Sequence, residues 1–436
     1  MAITANGHTR DQGRPSSWSG AIDQIAFGDE NGTRLIILSA GNIDNHSTSN
    51  YPDDLLTDSI HDPAQSWNAI SVGAYTSLTN IKDPTLAGYR PVAPYGGISP
   101  YTTTSITWEN KWPLKPEIVM EGGNTAVDSS GFAVECEDLS CLTTYYKPHE
   151  NHFSAFNMTS LACSKASWFA AQIQLTYPGF WPETVRGLMI HSANWPQSII
   201  DQFNIDLNNK KSILDLMRIC GYGVPSLDLA LYSASNTLTL IAQESIQPFF
   251  IEGNQSKTRD MHLYDLPWPT EVLESLPPDT HVHMRITLSY FIEPGPGEIG
   301  WKDRYRYPSH MLRFDVKSPS ESKNEFTRRI NKAVRDEDEG HPGTESASSH
   351  WLIGSHNRNK GSVHSDIWQG TAAELASSNI IAVYPGIGWW RERKHLGKVE
   401  NQTRYALIVT IHTPDETIDI YTPVAIRVEI PTLIQT

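Results

Sequence analysis

Apolar positions fall into continuous runs and helical stripes before about residue 235, and into short alternating stretches after it. Residues 19–28 (SGAIDQIAFG) carry apolar side chains at helical spacing, and Asn31-Gly32 is a turn signal. Leu35-Ile36-Ile37-Leu38 then runs on from Arg34, and Ala69 to Ala74 repeats the pattern. Such runs predict buried parallel strands in an α/β layer arrangement. Residues 75–157 are richer in Gly, Pro, Thr and Asn, which predicts long loops and short strands, interrupted by Lys115–Val119. Residues 160–176 (SLACSKASWFAAQIQLT) predict a helix that is almost wholly apolar past its first turn and therefore buried. Pro182 opens a further helix through Ala193, with proline in its favoured first turn.

After residue 235 the period shortens. Residues 237–242, 281–290, 310–316, 405–412 and 424–430 read as strands of a β-sandwich. Residues 333–350 are polar and charged and predict a mobile loop. The division expected is therefore an α/β domain over residues 1–235 and a β-rich domain over residues 236–436.

Composition narrows the partners. The chain has 436 residues and 34 Lys plus Arg against 49 Asp plus Glu, a formal net charge of −15. A chain of this sign, without a basic stripe, repels phosphate backbones and anionic lipid surfaces, so no nucleic-acid or membrane partner is expected. No apolar run approaches a membrane-spanning length. The opening MAITANGHTR has no signal-peptide pattern, which favours a cytoplasmic location. Cys136, Cys141, Cys163 and Cys220 are too few for a disulfide framework in so long a chain. Cys136 and Cys141 read as reduced thiols in a loop, since no second pair stands at metal-ligand spacing.

Two short segments carry chemistry. Phe156-Asn157-Met158-Thr159-Ser160 directly precedes the apolar helix, so Ser160 meets the free N–H groups and positive dipole end of a helix start. A tetrahedral acyl intermediate needs just such groups around its oxyanion, although Ser is also a common helix cap. Ser39-Ala40-Gly41-Asn42 follows the first strand, at the carboxyl end where parallel sheets place ligands, although Asn after Gly is also ordinary turn chemistry.

In order along the chain, the two segments and their neighbours resemble the subtilases. SAGN (39–42) resembles the oxyanion segment, and NAISVGAYT (68–76) the strand after it. KPEIVMEGG (115–123) resembles the segment KPD-x-x-APG, and MTSLACSKASWFAA (158–171) resembles GTSMAAP and its helix. YPGFWPETVRGLMIHSA (177–193) and GYGVPSLDLAL (221–231) resemble the closing helices and turn. The resemblance implies a partial subtilisin-like parallel sheet with flanking helices, followed by a β-sandwich-like domain. It implies Ser160 as nucleophile, Asn42 with the Ser160 N–H as oxyanion hole, and Ala40 and Gly41 as one wall of the pocket for the side chain before the cut. The reaction implied is hydrolysis of a polypeptide by way of an acyl-enzyme. Asn at 42 favours the subtilisin branch over the acid-active sedolisins. No organic cofactor is implied. Calcium is a common ligand in the family, but no acidic cluster here identifies a site, and no metal ligands are assigned.

Departures are equally plain. Met158 replaces a family Gly, Cys163 an Ala and Ser164 a Pro. Family members carry their catalytic Asp and His before the oxyanion Asn, yet only 41 residues precede Asn42, with no Asp-x-Gly or His-Gly-Thr among them. His152 and Asp44 lie near Ser160 and Asn42 in sequence but occupy no family catalytic position. The expectations are an inactive chain when alone, an open sheet edge near Ile3 and Leu35–Leu38, and the missing Asp and His encoded upstream of Met1. The alternatives are a second chain that supplies the missing half, or a non-catalytic binding module. Gly295–Gly300 fits a G-x-G-x-x-G pattern but reads as a loop, because no helix follows. His281 and His283 share a strand face without a third ligand.

Overall fold

The computed structural model describes residues 12–28, 32–43, 50–232, 237–268, 270–277, 279–295, 307–338 and 350–413. The chain forms two compact units, one of Met1–Phe180 with Leu188–Ala230 and one of Trp181–Gly187 with Leu231–Thr436.

The first unit is an α/β structure around a small sheet. Helix α1 (Ser17–Phe27) begins with a capping box, in which Ser16 Oγ accepts the Ser19 N–H at 2.9 Å. Its Asp23 is fully buried, yet it accepts hydrogen bonds from the Ser66 hydroxyl and the Trp67 and Asn68 N–H groups. That satisfied carboxylate ties α1 to the Ser66–Asn68 segment that leads into the next strand. Strands β1 (Ile37–Ser39), β2 (Ile70–Thr76) and β4 (Ile118–Glu121) pair in parallel, with Ile37 opposite Ile70 and Val72 opposite Ile118, while β3 (Gly97–Ile98) is antiparallel to β2. Strand β1 is shorter and later than the run from Arg34 predicts, because the Arg34 N–H is spent on the Ala26 carbonyl. Leu35, Ile36 and Ile37 are half-buried and Leu38 is buried, whereas Ile3 lies outside the described residues. A buried ion pair between Lys115 and Glu117 fixes β4 to β2, with Lys115 Nζ on the Ala69 carbonyl at 2.9 Å and the Ser71 N–H on Glu117 at 2.7 Å.

A hairpin of β5 (Cys141–Thr144) and β6 (Phe153–Phe156) leads into helix α2 (Met158–Thr176). The helix is not buried all round. Leu161, Ala162, Cys163, Ala166, Phe169, Ala170 and Ile173 pack inward, but Trp168 is 56% exposed and Leu175 is 74% exposed. The prediction of burial from composition fails because a helix on one face of a sheet hides only one stripe. Helix α3 spans Pro182–His191, close to its predicted bounds.

The second unit contains two larger antiparallel sheets. One has the order β7 (Thr237–Ile246), β13 (Thr403–His412), β9 (His281–Tyr290) and β11 (Val363–Thr371). The other has the order β8 (His262–Asp265), β12 (Ile380–Gly386) and β10 (Met311–Val316). Helix α4 (Lys323–Asp338) overturns the loop predicted from Ala333, since residues 333–338 complete it. Phe326, Ile330 and Val334, at i, i+4 and i+8, pack on Ile380, Ala382 and Tyr384 of β12, and this stripe sustains the helix despite its charge. Residues 339–349, 296–300 and 424–430 lie outside the described residues.

Candidate active site

The carboxyl end of β1 and the start of α2 meet in the first unit. Asn42 Oδ1 accepts the Thr159 N–H at 3.0 Å and the Thr159 hydroxyl at 2.7 Å. A backbone N–H can only donate, so this pair fixes which atom of the amide is oxygen and turns Nδ2 the other way. Nδ2 makes no hydrogen bond among the described residues, and Asn42 is half-buried. Thr159 Oγ also lies 3.1 Å from the Gly41 carbonyl, so one buried threonine braces the whole Gly41-Asn42 segment.

Ser160 stands in the first turn of α2, where N–H groups have no intrahelical acceptor. Asn157, at the cap, makes no side-chain capping bond, which leaves the positive end of the helix open. The Ser160 N–H and Oγ make no hydrogen bond among the described residues, although its carbonyl accepts the Ser164 hydroxyl at 2.9 Å. Met158 has φ of 70°, in the left-handed region that favours glycine, which explains why the resembling family carries Gly there. The Met158 N–H donates to the Gly122 carbonyl at 2.6 Å. The loop that receives it is held by the buried Glu121 carboxylate, which accepts the Gly123 N–H at 2.8 Å and the Ser77 N–H at 2.7 Å.

Other sequence candidates fall away from this point. His152 is exposed, stacks edge-on with Phe153 at 6.5 Å and makes no hydrogen bond to Ser160. Asp44 lies outside the described residues. Burial pushes the Cys163 thiol up to about 11, which suits a core residue rather than a nucleophile. All four cysteines are free thiols. His281 and His283 are exposed on one face of β9, and His412 stands opposite His283 in β13. No three His, Cys, Asp or Glu groups gather as a metal site among the described residues. No helix among them is long and apolar enough to cross a membrane.

Two contributors escaped the sequence reading. Thr159 was legible as a neighbour of Ser160, but its hold on Asn42, 117 positions away, was not. His61 carries no motif at all, yet its ring lies directly against Gly41.

The subtilase profile matches residues 1–223, and the chain belongs to the subtilase family. An uncharacterized protein, y4bN, of Sinorhizobium fredii is 26% identical over 286 residues, covering 59% of this chain and 64% of its own length. Among solved structures, a protease from Pseudoalteromonas arctica is 16% identical, covers 53% of this chain and 49% of its own, and has a TM-score of 0.31. MycP1 from Mycobacterium smegmatis is 16% identical over 48% of this chain and 44% of its own, with a TM-score of 0.26. The chain spans less than two thirds of the length of each of these relatives.

Proposed function

We propose that the chain supplies the nucleophile and oxyanion hole of a subtilisin-type serine endopeptidase acting on polypeptides. Ser160 Oγ attacks the scissile carbonyl, and its proton passes to a base and then to the leaving amine. Water afterwards releases the acyl group from Ser160. The Ser160 N–H and Asn42 Nδ2 receive the oxyanion. The observation that carries this reading is the pair of Thr159 hydrogen bonds to Asn42 Oδ1, because they leave a neutral donor unspent beside an unspent helix N–H. Ala40 and Gly41 form the wall of the side-chain pocket. The base and its orienting carboxylate come from outside the described residues, supplied by a segment or a second chain.

A second reading is a binding module that retains the cleft without turnover. It is favoured by the absence of any hydrogen bond to Ser160 Oγ among the described residues, since a serine hydroxyl is a poor nucleophile without an adjacent base. Fluorophosphonate labelling separates the two. The chain alone should label slowly. Added to a subtilase-type segment bearing Asp-x-Gly and His-Gly-Thr, it should label fast, lose labelling in Ser160→Ala, and slow by about 10² to 10³ in Asn42→Ala. Fast labelling of the chain alone would show that the base lies within it. No labelling with the added segment would leave the binding module.

A further inference from the structure

Strand β9 carries His281 and His283 two positions apart, so both side chains leave the same face of the sheet. The alternate residues, Val282 and Met284, are fully buried, which puts the histidines on the solvent face. His412 of β13 is the register partner of His283, and it is exposed on that face too. Residues directly opposite in an antiparallel pair have Cβ atoms about 4.5–5.5 Å apart, so the ladder itself sets two imidazoles side by side. His283 is close enough to both His412 and His281 for their charges to interact.

The His412 ring is held from its other side. Its Nδ1 lies 3.0 Å from the hydroxyl of Thr237 in β7, its register partner in that strand. An N–H at Nδ1 donating to that hydroxyl leaves Nε2 with the lone pair. Nε2 of His412 and both ring nitrogens of His283 make no hydrogen bond among the described residues. Glu374 is near enough to His281 for their charges to interact, but its carboxylate accepts the N–H and hydroxyl of Thr371 at 2.9 Å and 3.0 Å. It is spent on a helix cap and does not count as a ligand.

We propose that His283 and His412 together bind one divalent ion of the nickel, copper or zinc class across β9 and β13, with water at its remaining positions. Imidazole nitrogen suits these ions, whereas magnesium and calcium take oxygen ligands. Both ligands stand on adjacent strands of one sheet, so the backbone ladder places them and little order is lost on binding. The Thr237 hydroxyl is the outer partner that orients one ligating ring. Two protein ligands leave open positions, unlike the four of a closed structural zinc site. The ion is therefore exchangeable, and it stabilises the second unit in proportion to its occupancy.

The test is calorimetry on the full chain, stripped with a chelator and titrated near neutral pH with copper, nickel, zinc or magnesium chloride. Copper should bind more tightly than nickel or zinc, and magnesium should not bind. His283→Gln and His412→Gln should each weaken copper and nickel binding by at least about tenfold, since loss of an outer partner alone costs that much at a metal site. His281→Gln should leave the affinity unchanged. Both ligands are exposed, so neither substitution disturbs the core, and two variants keep the proposal open to test if one of them does not fold. No binding of any of these ions by the unaltered chain would overturn the site. So would an affinity unchanged in both His283→Gln and His412→Gln, or a loss confined to His281→Gln.

Discussion

At the start of α2, the Ser160 N–H and Oγ and Asn42 Nδ2 have no hydrogen-bond partner among the described residues, and Met158 sits at φ of 70°. Around β9 and β11 in the second unit, buried polar groups are packed into dense networks. Arg186 donates to Ser289 Oγ at 3.0 Å, Ser362 Oγ at 3.1 Å and the Ser362 carbonyl at 2.7 Å, with its guanidinium 4.3 Å over the Phe291 ring. Asp366 pairs with Arg358 at 3.1 Å and accepts N–H groups of Ile353, Gly354 and Ile367. The difference teaches where polar groups can be left unspent. Near Ser160 they are reachable, so solvent or a ligand satisfies them. In the second unit buried groups must find partners within the protein, and those with none among the described residues include His310 Nε2 and His364 Nδ1, on fully buried rings that can stay neutral.

The comparison can be broken most forcefully at Arg358. Arg358→Met leaves the Asp366 carboxylate buried without its cation, and should cost about 3–5 kcal/mol in a urea titration. A loss below about 1 kcal/mol would show that the three N–H donors suffice without the cation.

The two buried histidines give the next effect. Burial lowers each imidazole to about 3, and His364 is further opposed by Arg313, Arg358 and Arg186. The folded state therefore holds fewer protons than the unfolded chain once the pH falls below the ordinary histidine value near 6.5. Stability that is complete above that value is lost as the pH falls from it toward about 3. At pH 5 the expected loss is on the order of 2 kcal/mol per histidine. His364→Phe should flatten the slope between pH 7 and 5, and a slope unchanged by that substitution would exclude His364 as a contributor.

The smallest effect belongs to the strained start of α2. Met158→Gly relieves a left-handed residue and should stabilise the first unit by about 1 kcal/mol, against the usual penalty for glycine. A lower melting temperature would show that the half-buried Met158 side chain contributes more than its backbone costs.

Much of the framework was legible in the sequence. Strand β9 runs over the alternating segment 281–290, and α2 begins within two residues of the apolar run that announced it. The order of SAGN, KPEIV and MTSL was enough to suggest the family, because each is a local device: a strand end, a braced loop and a helix start. Composition misled where a face mattered. It hid the exposed stripe of α2 through Trp168 and Leu175, and it read the residues from Ala333 on as a loop, although Val334 lies in α4 and packs against β12.

The sequence by itself determined which residues are candidates for the chemistry and which elements hold them, since hydrophobic period, caps and turns act over a few positions. Only the tertiary structure decided how those residues face one another. The direction of the Asn42 amide depends on Thr159, 117 positions on, and the packing against Gly41 depends on His61, brought there by its hydrogen bond to Ala40. Hydrogen-bond direction and excluded volume act between atoms in contact, and chain spacing does not record which distant atoms folding will bring together.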